Sequence, residues 1–241
     1  MNEETKNYLE KNLPSPAYEM GKKIYRKKRQ VKDTLESGIK NPILMYLYRR
    51  DVISGDYLYS DNYYLKRKYG EHRQRAEEFS KVVEEHLDPG SVIDFGCGIG
   101  QHLIVFHEYG KRTKGIDISE VCKKENLVPA SNIEIKDLAE SWDVNEEFEC
   151  GLCLEVLEHI PKENTETAVK NISKSVSNTL LVSAATPNQG GTHHVNERPK
   201  EFWIEKFEKE NFKYKPEITE EIKADLNFDG VRKTNLLVFQ R

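Results

Sequence analysis

The chain has 241 residues, 37% hydrophobic and 32% charged, with a formal net charge of −4 at pH 7. That length allows one large α/β domain with an accessory segment, and no run approaches the roughly 18 apolar residues of a membrane helix. The polar start MNEETKNYLEKN has no signal-peptide apolar core. The four cysteines (Cys97, Cys122, Cys150, Cys153) form no disulfide-like framework, so a reducing cytoplasmic location without a membrane partner is expected.

Charge divides the chain. Residues 1–75 hold 17 Lys+Arg and 10 Asp+Glu, a balance of +7, and the remainder carries −11. Within this first part, residues 22–29 (KKIYRKKR) are the sharpest basic run, and Ile24, Val31 and Leu35 are spaced for one apolar helix face. A second helix is expected after Pro42. Residues 57–69 carry five tyrosines, Tyr64 among them. The expected division is a helical extension over 1–75 and an α/β domain over 76–241. A helix over 73–87 leads into the latter, and Asp88-Pro89-Gly90 ends it in a turn.

Residues 92–100, VIDFGCGIG, read as a strand buried on both faces, an acidic residue, and a glycine turn opening a helix at Gln101. Gly96, Gly98 and Gly100 let the backbone turn tightly against a ligand, and free N–H groups at the next helix start face it. Dinucleotide enzymes prefer G-x-G-x-x-G around a pyrophosphate. Here Asp94 stands two residues before the first glycine, and a carboxylate there suits a ligand with a cationic amino group.

Residues 113–119 (TKGIDIS) form a second strand ending in Asp117. A carboxylate at that tip accepts hydrogen bonds from a ribose diol; the alternative is an N-cap, a role Ser119 also fills. Residues 132–138 (NIEIKDL) give a short third strand ending in Asp137, and residues 148–161 (FECGLCLEVLEHIP) a fourth ending near Leu154 and Glu155. Cys150 and Cys153 point to opposite faces of that strand and no second C-x-x-C completes a zinc site, so both read as buried core and no metal is assigned. A helix over 164–176, a fifth strand over 179–185 and a helix over 201–211 follow. The last strands are expected at 212–215 and 235–240, joined by a polar stretch too long for a simple hairpin turn.

The pattern D-x-G-x-G-x-G, the acidic residue ending the second strand, and LEVLEHIP together resemble the class I S-adenosyl-L-methionine (SAM) dependent methyltransferases. The resemblance covers about 70 residues in order and spacing. It implies a Rossmann-like, mostly parallel seven-stranded sheet with an antiparallel last strand, and SAM as cofactor. By resemblance, SAM is held by Asp94, Gly96, Cys97, Gly98, Gly100, Asp117, Ile118, Asp137, Leu138, Leu154 and Glu155. Ile118 packs on the adenine, Asp137 and the Leu138 N–H meet its edge, and the backbone at Leu154 and Glu155 lies beside the methyl.

Residues 191–203 (GTHHVNERPKEFW) resemble a pattern of one methyltransferase subgroup, matched at His194, Asn196, Pro199 and Trp203. His194 and His159 are the catalytic candidates, each with a structural hydrogen bond as the alternative role. Tyr64, His193 and Asn196 are the candidates for substrate contact, and Trp203 reads as core. The expected reaction is methyl transfer to an O or N atom of a small-molecule or glycan-type acceptor. Two alternatives stand beside it: an RNA methyltransferase using the basic extension, and a SAM-binding regulator without catalysis.

Overall fold

A computed structural model describes residues 67–191 and 193–241. The expectations for the basic run, the helix after Pro42 and Tyr64 lie outside those residues. The first described element, α1 (Glu71–Leu87), runs without a break across the boundary expected at residue 75.

Alternating strand side chains build two cores. In β1 (Ser91–Phe95) every residue is buried. Val92 joins one core, while Ile93 and Phe95 join the other. The same alternation in β4 (Phe148–Leu154) sends Cys150 to one face and Cys153 to the opposite one. All four cysteines are free and buried. The remaining strands are β2 (Arg112–Asp117), β3 (Ile133–Ile135), β5 (Val176–Ser183), β6 (Lys213–Tyr214) and β7 (Leu237–Gln240).

These make one seven-stranded sheet in the order β3-β2-β1-β4-β5-β7-β6. The first five are parallel, and β7 runs antiparallel to both β5 and β6. Succession runs one way from β1 to β3 and the other way from β4, so the carboxyl ends of β1 and β4 flank the switch point where ligands of open α/β sheets bind. On one face, α1 packs with α2 (Leu103–Glu108) and α6 (Pro216–Asp225). On the other lie α4 (Thr165–Ser175) and α5 (Lys200–Glu208). A single turn, α3 (Val121–Lys124), follows β2. Among the described residues, no helix is long and apolar enough to cross a membrane.

Two boundaries differ from the sequence reading. The helix expected from Gln101 begins at Leu103. The polar stretch between the last two strands holds α6 and α7 (Val231–Asn235). Pro216 opens α6 with its φ already suited to a helix start. Ile218, Ile222 and Leu226 then recur at the four-residue spacing that lays them on the core. Thr219 Oγ1 accepts the Val238 N–H at 3.0 Å and donates to the Lys215 carbonyl at 2.7 Å, tying α6 to β7.

Trp203 of α5 is 1% exposed within the second core, with Phe207 and Phe239. Trp203→Ala should therefore cost about 3–5 kcal/mol, read as a lowered denaturant midpoint at unchanged m-value. A loss below about 1 kcal/mol would place the indole outside the load of the core.

Candidate functional site

After Phe95 the chain turns through Gly96 and Gly98, whose φ values of 71° and 53° favour glycine. The Gly96 and Cys97 N–H groups both donate to the Ile116 carbonyl, at 2.7 and 3.1 Å, and the Gly98 N–H donates to Asp117 Oδ2 at 2.8 Å. On the other side, a Cβ on Gly96 would stand 2.4 Å from Val156 Cγ2. The turn is thus clamped between β2 and the segment after β4. Gly100 is not among the residues that line the cleft, and a Cβ there would meet Val128 Cγ2 at 2.8 Å.

Asp94, Gly96, Cys97, Gly98, Asp117, Ile118, Asp137, Leu138, Leu154 and Glu155 line one cleft at the switch point. Asp94 is 2% exposed and its Oδ2 has no hydrogen-bond partner among the described residues. Burial raises its pKa to about 8, with Arg232 opposing and Asp117 adding to the rise. Asp117 Oδ1 accepts the Ser119 N–H at 3.1 Å, while Ser119 Oγ accepts the Val121 N–H at 3.2 Å and so caps the following turn. Asp137 Oδ1 accepts the Ala139 N–H at 2.8 Å.

A second cleft adjoins the first. Arg67, Gln101, Glu155, His159 and Arg232 line both, and His72, Arg75, Glu158 and His194 line the second. The Glu158 carbonyl accepts the N–H groups of Val195 and Asn196, at 2.9 and 3.0 Å. This tie carries the segment after β5 onto the 3-10 turn Leu157–His159. The rings of His159 and His194 meet edge to face, with centroids 5.0 Å apart. Non-glycine residues with left-handed φ, Glu155 (57°) and His193 (65°), shape the two segments, a strain that clusters at functional sites.

Each histidine is oriented through Nδ1. His159 Nδ1–H donates to the His193 carbonyl at 3.2 Å, and His194 Nδ1–H donates to Glu197 Oε1 at 3.0 Å. Glu197 also accepts the N–H groups of Asn188 and Gly190, at 2.9 and 2.8 Å, so the loop winds around its carboxylate. The hydrogen bond from His194 leads the causes that hold the Glu197 pKa below its ordinary value. Burial first, then His194, lowers the His159 pKa to about 4. Glu158 is fully buried, and burial first, then Glu155, raises its pKa to about 8. Gly191 leaves room for the His194 ring, which a Cβ would approach to 2.3 Å.

The expected residues divide. His159 and His194 come together at the second cleft, whereas His193 and Asn196 line neither cleft. Asn196 is fully buried; its Nδ2 donates to Thr165 Oγ1 at 3.0 Å and its Oδ1 accepts from Arg198 Nε at 2.9 Å. Its polar groups are spent inside the fold. Sequence reasoning missed Glu158 and Glu197, although LEVLEHIP and the acid three residues after His194 carried the signal. It also missed Arg232, delivered by α7 from a stretch with no motif.

A methyltransferase-domain family model matches residues 64–220. No curated protein matches the sequence. Among solved structures, the magnesium protoporphyrin IX methyltransferase of Synechocystis PCC 6803 with bound SAH is similar at 20% identity and a TM-score of 0.57, covering 77% of this chain and 97% of that one. The sugar N-methyltransferase of Streptoalloteichus sp ATCC 53650 has 14% identity and a TM-score of 0.55, covering 73% and 91%. An amino pentose methyltransferase of Micromonospora echinaspora has 14% identity and a TM-score of 0.53, covering 74% and 94%. At these identities the likeness is one of fold.

The raised Asp94 pKa fixes the sign of a pH effect. The folded chain keeps a proton that the unfolded chain releases above about 3.8, so this contribution to stability is whole below that value and is lost as the pH rises to about 8. Asp94→Asn, neutral throughout, should flatten the decline and be more stable than the parent by on the order of 2–4 kcal/mol at pH 8, with little difference at pH 4. Denaturant melts across that range read it; parallel profiles would mean that Asp94 is already ionised in the folded protein.

Proposed function

The chain belongs to the methyltransferase-domain family, and from that premise we propose that it transfers the methyl group of SAM to an oxygen or nitrogen of a small-molecule acceptor. The observation that carries this reading is the buried carboxyl of Asp94, whose Oδ2 has no hydrogen-bond partner among the described residues, beneath a glycine turn and in one cleft with Asp117 and Asp137.

These residues fit the cofactor. A buried carboxylate with such an oxygen suits a cationic amino group, and the Arg67 and Arg232 guanidiniums on the same cleft suit the carboxylate of the methionine moiety. Asp117 keeps acceptor capacity for a ribose diol, since a carboxylate offers about four lone-pair sites. Ile118 gives an apolar surface for adenine, and Asp137 with the Leu138 N–H reads its edge. Bound there, SAM supplies a methyl already activated on sulfonium. What remains for the chain is proximity, orientation and a dry, pre-set field.

The adjoining cleft is the acceptor site of this reading. Its wall of Arg67, Arg75 and Arg232 favours an acceptor carrying a carboxylate or phosphate. His194, oriented by Glu197, is the side chain that meets the reacting end of the acceptor. The porphyrin and sugar methyltransferases that share the fold act on small-molecule acceptors, which supports this reading.

Methyl-labelled SAM incubated with the protein and a host extract should place label in the small-molecule fraction; label confined to RNA would overturn the acceptor class. Asp117→Ala should weaken SAM binding ten- to a hundredfold, from charge-assisted hydrogen bonds worth about 1.5–3 kcal/mol each. Unchanged affinity in calorimetry would remove Asp117 from the ribose. His194→Ala should leave SAM affinity intact and lower turnover, and equal turnover would assign His194 to structure alone.

A further inference from the structure

We infer that Glu158, His159 and His194 form a binding site for a divalent transition-metal ion of the zinc class, on the wall of the acceptor cleft. Each offers one ligand atom, and the three atoms lie within 4.8 Å of one another. They come from two segments brought together by the hydrogen bonds that the Glu158 carbonyl accepts from Val195 and Asn196.

Glu158 provides the first support. Its side chain is fully buried, and no side chain hydrogen-bonds either carboxylate oxygen among the described residues; only the Glu158 and Ala185 backbone N–H groups lie close, outside good hydrogen-bond geometry. Buried polar groups are almost always satisfied, and a carboxylate kept from water is satisfied most fully by a cation. Among the described residues, the basic side chain that approaches it, His194 Nε2, stands 3.9 Å from Glu158 Oε1, beyond hydrogen-bond reach.

Both histidines provide the second support. Metal-bound histidines donate their other ring N–H to a carboxylate or a backbone carbonyl, which fixes the tautomer and aims the ligating nitrogen. His194 does this to the Glu197 carboxylate and His159 to the His193 carbonyl, each through Nδ1. Nε2 is then the atom through which each ring ligates. Two imidazole nitrogens with one carboxylate oxygen select a borderline first-row ion over magnesium or calcium.

Three protein ligands leave a coordination position open toward the cleft, as catalytic zinc sites do. Two ligands of one ion, each at about 2.1 Å, are at most about 4.2 Å apart. The three side chains therefore draw together slightly as the ion enters. An acceptor hydroxyl ligated at the open position becomes a stronger acid and releases its proton to solvent. That use of the site rests on the proposed methyl transfer, whereas the site itself rests only on its geometry. In this account His194 Nε2 is a ligand atom and takes no proton from the acceptor.

The test is a titration of the full chain, free of any affinity tag and without SAM, with Co²⁺ followed by its ligand-field absorption and with Zn²⁺ by calorimetry. One ion per chain is expected, with a dissociation constant in the micromolar range or below. Glu158→Gln and His194→Ala should each weaken it at least tenfold while circular dichroism shows an unchanged fold. Glu197→Gln should weaken it as well, since outer partners typically contribute ten- to a hundredfold in affinity. Absence of ligand-field absorption at stoichiometric Co²⁺, or an affinity in both His159→Ala and His194→Ala equal to that of the parent chain, would overturn the site. If SAM binding survives in the same preparation, the methyltransferase reading stands and only the metal site falls.

Discussion

Two hydrogen bonds accepted by one carbonyl hold the site together. Val195 and Asn196 both donate to the main-chain oxygen of Glu158, and through this junction the turn after β4 and the loop after β5 become one wall. Without it, His159 and His194 belong to segments that the sequence leaves 35 residues apart. The sheet supplies the other half. β1 and β4 are adjacent and parallel, with Phe95 opposite Cys153, so the glycine turn and Glu155 emerge side by side at the same edge.

What gathers at that edge is a set of ionisable groups out of contact with water. Asp94 and Glu158 are both buried carboxyls lifted to a pKa of about 8, each chiefly by burial. Burial of this kind costs stability that a well-packed apolar pair would not. Glu155 and His193 add backbone strain beside them. The Asp94 and Glu158 carboxyls both stand at the edge where the clefts open, whereas Asn196 and Thr219 find hydrogen-bond partners in the interior. The two carboxyls differ in company: Asp94 lines the first cleft with the glycine turn, and Glu158 lines the adjoining one with the two histidines.

Much of this was legible in the sequence. β1 and β4 carry short apolar runs that end in Asp94's turn and in Glu155, as a strand buried on both faces requires, and β2 is marked by the acid that ends it, Asp117. The same alternation separated Cys150 from Cys153. Residues whose role depends on where a loop returns were harder. His194 stood out as a residue type, and the acid three residues on marked its partner Glu197, but the role of that carboxylate depends on the loop that winds around it. Asn196 looked equally available and is consumed by Thr165 and Arg198. Arg232 sits on a five-residue helix with no periodicity to announce it. The helix before it did leave a signal, in Ile218, Ile222 and Leu226, which the polar composition around them obscured.

The central claim is that the cleft between β1 and β4 binds SAM. Calorimetric titration of the full chain with SAM tests it most directly. The account predicts saturable binding of one molecule per chain, displaced by S-adenosylhomocysteine and indifferent to NAD. Absence of binding to SAM, or binding of NAD in its place, would contradict it.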